Sequence, residues 1–130
     1  MSTARVALLA ALAALSACGE PASPEEVALE FWTAAAARDY AVAAPFSTAT
    51  HASDVAASLG SFSPGGSLSI GEALRSENRA LVETTFLGNA NERVAFETHL
   101  VQVDGVWRVD LAATADELGS AASMPTPASP

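Results

Sequence analysis

The chain contains no lysine, a single cysteine, a single tyrosine, two histidines and no apolar run long enough to cross a bilayer. Six arginines stand against 15 aspartates and glutamates, a formal charge of −9. Polyphosphate backbones and anionic lipid surfaces reward clustered positive charge, so nucleic acid and acidic membranes are excluded as partners. One cysteine closes no disulfide within the chain, and stability in an oxidising compartment has to come from the core alone. The unbroken apolar stretch, Val6 to Ala14, falls well short of the ~20 residues of a membrane-spanning helix. What is present is 130 residues, half of them apolar, which is enough for one small domain.

Part of the apolar content is an export leader. Met1 to Arg5 carries one positive charge, Val6 to Ala14 is apolar, and the small residues Ser16 and Ala17 follow. Leu15-Ser16-Ala17-Cys18 resembles the lipobox of bacterial lipoproteins, since a basic start, a short apolar stretch and a cysteine directly after small residues coincide. The resemblance implies cleavage before Cys18, residues 1–17 as signal peptide, and a diacylglyceryl-modified, triacylated Cys18 that anchors the chain in a membrane. Each buried methylene contributes about 0.8 kcal/mol, so more than one acyl chain makes the anchor stable. Gly19 follows the cysteine in place of the aspartate that favours inner-membrane retention, which implies the periplasmic side of the outer membrane. Cleavage leaves five arginines against 15 acidic residues, a balance of −10.

The strongest structural signal lies between Arg79 and Leu111, three strands joined by two tight turns. Val94, Phe96, Thr98 and Leu100 alternate with Arg93, Ala95, Glu97 and His99. Asp104-Gly105 between Val103 and Val106 marks a two-residue hairpin, because both central residues of such a turn take positive φ. That turn sets Val103 against Val106, Leu100 against Val109, Thr98 against Leu111 and His99 against Asp110. A three-residue loop, Asn89 to Asn91, sets Phe86 against Val94 and Val82 against Thr98, and collects the apolar residues on one side. The expected core face is Val82, Thr84, Phe86, Val94, Phe96, Thr98, Leu100, Gln102, Trp107, Val109 and Leu111.

The preceding half reads as helical. Glu20 to Ala22 continues a tether that begins at Cys18. Ser23-Pro24-Glu25-Glu26 starts a helix, with Ser23 as cap, Pro24 in the first turn and Glu26 completing a capping box. Val27, Phe31 and Ala34 or Ala35 share a stripe on a helix expected to run to about Arg38. Asp39 is expected to cap a short second helix through Tyr40 and Ala44, interrupted by Pro45. Ser53 or Asp54 starts a third through Leu59, then Gly60 to Gly66 is loop and Leu68 to Leu74 a first strand. After Leu111, residues 112–118 suggest one helical turn, and the Ser-, Ala- and Pro-rich residues 119–130 are expected to be disordered.

Three short helices followed by a bent antiparallel meander form an α+β cone. The pieces Ser23-Pro24-Glu25-Glu26-Val27, Phe31-Trp32, Arg38-Asp39-Tyr40 and Asp104-Gly105-Val106-Trp107-Arg108-Val109-Asp110 resemble the nuclear transport factor 2-like superfamily, and within it the lumazine-binding-like bacterial lipoproteins. The resemblance implies a cystatin-like cone over residues 23–112, with N-terminal helices on a strongly curved antiparallel sheet, and the composition that follows it leaves 113–130 as a mostly disordered tail. Trp32, Tyr40, Phe96 and Trp107 are the candidate ligand-binding residues; for Tyr40 the resemblance implies packing against the sheet, which is favoured over a catalytic role.

Function within that superfamily is divided between isomerases, cyclases, dehydratases and members without chemistry, so the fold does not choose. An acid-base site needs titrating groups inside the cone, and the expected core face offers only Thr84, Thr98 and Gln102. No catalytic residue and no cofactor are therefore expected. Glu83, Glu97, His99 and Asp110 fall on the outer face, where a zinc site competes with a solvated surface carrying one His-Asp pair; no short ligand spacing anchors a metal, and none is assigned. The expectation is a lipid-anchored envelope protein whose single domain binds a small apolar ligand or an envelope protein, with a homodimer through the outer sheet face open. The competing readings are a small isomerase- or cyclase-type enzyme and a scaffold whose cone is filled by its own side chains.

Overall fold

A computed structural model describes residues 21–60, 62, 66–88 and 92–123; the expected leader, Cys18 and residues 124–130 lie outside the described residues. The chain is α+β, with helices packed on one four-stranded antiparallel sheet of order β1-β2-β3-β4. The strands are β1 (Ser67–Ser76), β2 (Arg79–Leu87), β3 (Arg93–Val103) and β4 (Val106–Val109), and the helices α1 (Pro24–Ala36), α2 (Tyr40–Ala43), α3 (Ala52–Leu59) and α4 (Leu111–Ser123). Among the described residues no helix is long and apolar enough to cross a membrane.

The start of α1 follows the sequence closely. Ser23 accepts from the Glu26 N–H at 3.2 Å, and Glu26 returns the bond by accepting from the Ser23 N–H at 3.0 Å. The helix stops at Ala36, short of Arg38, because Arg38 takes the left-handed conformation at φ 59°. The Asp39 N–H then reaches the Ala34 carbonyl and the Arg38 N–H the Ala35 carbonyl, both at 2.9 Å, which satisfies the last turn. Asp39 precedes α2 but its side chain makes no cap; its main-chain carbonyl accepts from Val42 and Ala43 instead. A 3-10 turn at Ala44–Phe46 follows α2. α3 begins at Ala52, ahead of Ser53 and Asp54, because the Asp54 carboxylate folds back to the His51 N–H at 3.1 Å.

The strands of the meander pair in the expected registers, while the loop expected at 89–91 lies outside the described residues. Phe86 faces Val94, Val82 faces Thr98, Val103 faces Val106 and Leu100 faces Val109. Asp104 and Gly105 both have positive φ, 52° and 79°, as the two-residue hairpin requires. β1 is longer than expected and carries a bulge between Ile70 and Ala73, where Gly71 lets the chain pass close over Glu83. The bulge bends the edge strand, and the sheet curls over α1.

Two expectations for the last hairpin are corrected. Thr98 does not face Leu111, and His99 and Asp110 are not a strand pair, because β4 ends at Val109. Asp110 instead caps α4: its carboxylate accepts from the Ala113 N–H at 3.3 Å and its carbonyl from the Thr114 N–H at 3.0 Å, while its own N–H still reaches the His99 carbonyl. Residues 111–123, expected as one helical turn and disordered tail, are this helix. Leu111, Thr114 and Leu118 are its buried side, and the Thr114 hydroxyl both accepts from the His99 N–H and donates to the His99 carbonyl. α4 thus covers the part of β3 that β4 is too short to pair. The 47–49 segment covers the other side of β4, through a parallel bridge from Ser47 to Val109 and a bond from the Thr48 N–H to the Val109 carbonyl at 2.9 Å.

Candidate functional site

The space between α1 and the curled sheet is where a ligand of a hollow cone would lie. Trp32 occupies it and is 0% exposed. Its indole meets Phe31, Phe62, Phe86 and Phe96 edge-on, with ring centroids 4.9 to 5.8 Å apart and interplanar angles of 73° to 84°. Edge-to-face contacts of this kind each contribute about 0.5–1.5 kcal/mol beyond area burial. Phe86 and Phe96 stack nearly parallel at 6.2 Å beneath the indole. The sequence supplies this geometry through parity: Phe86 and Phe96 fall on the α1 side of adjacent strands, and Phe31-Trp32 straddles the helix stripe that faces them.

The polar groups of the same region form a closed chain. The Trp32 indole N–H donates to the Thr98 hydroxyl at 2.9 Å, the two hydroxyls of Thr98 and Thr84 lie 2.6 Å apart, and the Thr84 hydroxyl donates to the Val82 carbonyl at 3.0 Å. Each hydroxyl has one proton, so Thr84 donating to Val82 makes Thr98 the donor to Thr84. Both threonines are fully buried, and among the described residues no buried side-chain polar atom lacks a partner. Thr84 and Thr98, polar members of the expected core face, are satisfied by one another and by Trp32.

Of the four candidate ligand-binding residues, Trp32, Phe96 and Trp107 are buried in the core, while Tyr40 is half-buried on α2 and packs against it. Trp32, Phe96 and Trp107 are core residues here, and none of the four lines either of the clefts between α1 and β1 or on the outer sheet face. Two expected core positions differ in the opposite sense: Val94, at the hairpin end of β3 beyond the aromatic cluster, is 38% exposed, and Gln102 is half-buried near the strand end, its amide 3.4 Å from the Gly105 carbonyl.

The outer-face titrating groups each find a separate neighbour. Glu83 and Glu97 are cross-strand neighbours, His99 Nε2 lies 3.5 Å from Glu117 on α4, and Asp110 lies 3.7 Å from Arg79. Among the described residues no three histidine, cysteine, aspartate or glutamate side chains come together as a metal site. His51, at the start of α3, is exposed.

Among the described residues, two surface clefts enclose about 380 Å³ each. One lies between α1 and the β1 bulge, over Leu29 and Ile70, with Glu25, Glu26 and Glu72 at its rim. Glu25 there accepts from the Ala73 N–H at 3.1 Å and sits 3.8 Å from the Arg75 guanidinium. Bonds from its own main-chain N–H and from that of Ala73, with the Arg75 charge adding to them, hold its carboxyl below the ordinary glutamate range. Sequence reasoning placed Glu25 only in the first helical turn; its link to the β1 edge depends on the bulge, which no local pattern announces. The other cleft lies on the outer sheet face, along Leu74, Leu81 and His99 with Ser76 and Arg79 beside them.

No family model matches the chain, and no curated protein matches it. Among solved structures, a single-substitution variant of Rv3472, a function-unknown protein from Mycobacterium tuberculosis, is similar at a TM-score of 0.40 and 14% identity, over 74% of this chain and 84% of that one.

Proposed function

We propose that this chain is a lipid-anchored bacterial envelope protein, held at the periplasmic side of the outer membrane by acylated Cys18, whose single domain binds a partner through its surface and performs no chemistry. The fold we assign is a filled variant of the nuclear transport factor 2-like, lumazine-binding-like cone. One observation carries the surface reading: Trp32 and four phenylalanines fill the space between α1 and the sheet, and the hydroxyls there are bonded to each other. A ligand entering that space has to displace aromatic side chains at a cost of several kcal/mol, whereas the outer sheet face offers apolar side chains without rearrangement. The anchor reading is supported by Leu15-Ser16-Ala17-Cys18 following a basic start and a short apolar run.

The test joins both parts. Cells expressing the full chain are labelled with radioactive palmitate, and Cys18→Ser is expected to lose the label entirely; label on the serine variant overturns the anchor. In the same preparations, small apolar probes are expected to leave the blue-shifted emission of buried Trp32 unchanged, and a saturable shift that Trp32→Phe removes would overturn the filled cone.

A further inference from the structure

The two edges of the sheet are closed to different degrees. β4 is covered by Ser47 and Thr48, whereas the free edge of β1 is met by α1 at Ala73. There the Glu25 carboxylate accepts from the Ala73 N–H, so the main chain of Ala73 points away from β2. Main-chain direction alternates along an antiparallel pair. Ala73 pairs with Val82, Ile70 with Thr84 and Leu68 with Phe86, and steps of two along β2 carry the same phase past the bulge. The N–H and C=O groups of Ile70 and Leu68 therefore face outward as well. Among the described residues, no main-chain group meets them there. An open edge of this kind is a template for another strand.

Beside this open stretch lies the cleft of about 380 Å³ between α1 and the bulge, with Leu29 and Ile70 as its floor and Glu25, Glu26 and Glu72 at its rim. Leu29 is 44% exposed although it sits directly over the cleft. Glu25 is engaged by Ala73 and Arg75, and Glu26 by the Ser23 N–H of the capping box. Glu72 is exposed on the bulge and has no partner among the described residues. From this geometry we infer that the β1 edge at Leu68–Ile70 docks an extended, basic peptide segment of another protein as an added strand. An apolar residue of the segment lies over Leu29 and Ile70, and its cationic residues meet the rim carboxylates. The inference rests on the surface-binding reading above and gives the partner's chemistry and its place at the sheet edge.

Charge selects this occupant. Added strands gain main-chain bonds whatever their sequence, so selectivity comes from the cleft and its rim. A second copy of the chain pairing edge to edge would bring two acidic rims together, in molecules of net charge −9. The same net charge draws a cationic segment in from a distance. Arg75, which follows Ala73 in the same main-chain phase, carries a positive charge at the far end of the edge. A basic segment is turned away there, and the site ends at the bond between Glu25 and Ala73.

The test uses the full chain in uncharged detergent micelles and a short blocked peptide in which lysine alternates with valine and leucine, its binding followed by fluorescence anisotropy. Saturable binding that weakens as salt is raised is expected, and the peptide with glutamate in place of lysine should not bind. Leu29→Arg removes apolar floor and adds repulsion, so it should weaken binding about tenfold or more. Glu72→Lys should weaken it about fivefold. Leu74→Ser, on the outer sheet face, should leave it unchanged. N-methylation of alternate peptide amides separates strand addition from side-chain docking. One phase blocks the donors that meet β1 and should abolish binding, while the other faces away and should leave it intact. Absence of saturable binding, or equal effects of the two methylated phases, overturns the inference. Loss in Leu74→Ser with none in Leu29→Arg also overturns it, but leaves binding through the outer face standing. Binding accompanied by an emission shift that Trp32→Phe removes would put the peptide in the core and overturn both readings.

Discussion

The indole N–H of Trp32 donates to the hydroxyl of Thr98 at 2.9 Å, across 66 residues of chain and in a region with no access to solvent. Two residue types that separately suit a ligand pocket, an indole and a hydroxyl, here complete one another. The bond joins α1 to the middle of β3, and through Thr84 it continues to β2. A buried chain of this kind is stabilising only while every member is paired, because a lone donor in an apolar interior keeps its full desolvation cost.

Thr98→Val preserves shape and removes the acceptor. The Trp32 N–H is then stranded among phenyl rings and the Thr84 hydroxyl loses its donor, so unfolding stability should fall by about 1–3 kcal/mol. Adding Trp32→Phe removes the orphaned donor and should recover part of that loss, although the smaller ring leaves some empty volume. Urea denaturation of the single and double variants checks this, and a double variant that loses the full sum of the two singles would show that the bond contributes nothing by itself.

The meander could be read from sequence because its turns fix parity. Asp104-Gly105 leaves one register for β3 and β4, and a three-residue loop before Glu92 leaves one that gathers Val82 and Phe86 with Phe96. Parity says which face a residue takes, but not whether the space over that face is empty. Trp32, on a helix, was legible as a candidate ligand-binding residue and illegible as the group that fills the interior, since that depends on helix-to-sheet distance. α4 was missed for a different reason: Ala, Ser and Gly dominate it, and three buried positions, Leu111, Thr114 and Leu118, make a faint stripe. Its local signal was Asp110, which read equally well as a strand residue facing His99.

Because α4 is held by so few side chains, its removal gives a sharp expectation. Leu118 is buried and extends the Leu111 and Thr114 stripe of α4. Leu118→Ala should destabilise the domain by about 2–5 kcal/mol, the range for a buried leucine truncation. Hydrogen exchange supplies the diagnostic readout. The His99 N–H, bonded to the Thr114 hydroxyl, should lose protection well before the β2–β3 ladder amides at Val82 and Thr98 do. Equal protection at His99 in parent and variant would mean that α4 docks without Leu118.

Glu25 gives the fold a pH dependence of definite sign. Its carboxylate accepts from its own main-chain N–H and from the Ala73 N–H on the edge strand, and the nearby Arg75 charge favours the ionised form further. The folded-state pKa is thus lowered relative to that of the unfolded chain, where glutamate titrates near about 4.3. A depressed carboxylate adds stability that is fully present above the unfolded value and is lost as pH falls through the folded one, because the unfolded state then binds more protons. The side chain is partly exposed, so solvent screens the contribution and it should be small. Melting temperature measured from pH 6 downward should decline below about pH 4.5, and Glu25→Gln should flatten part of that decline while lowering the plateau above it. The amide can still accept from Ala73 but carries no charge for Arg75, so an unchanged slope in Glu25→Gln would place the acid sensitivity among the other carboxylates of this strongly acidic chain.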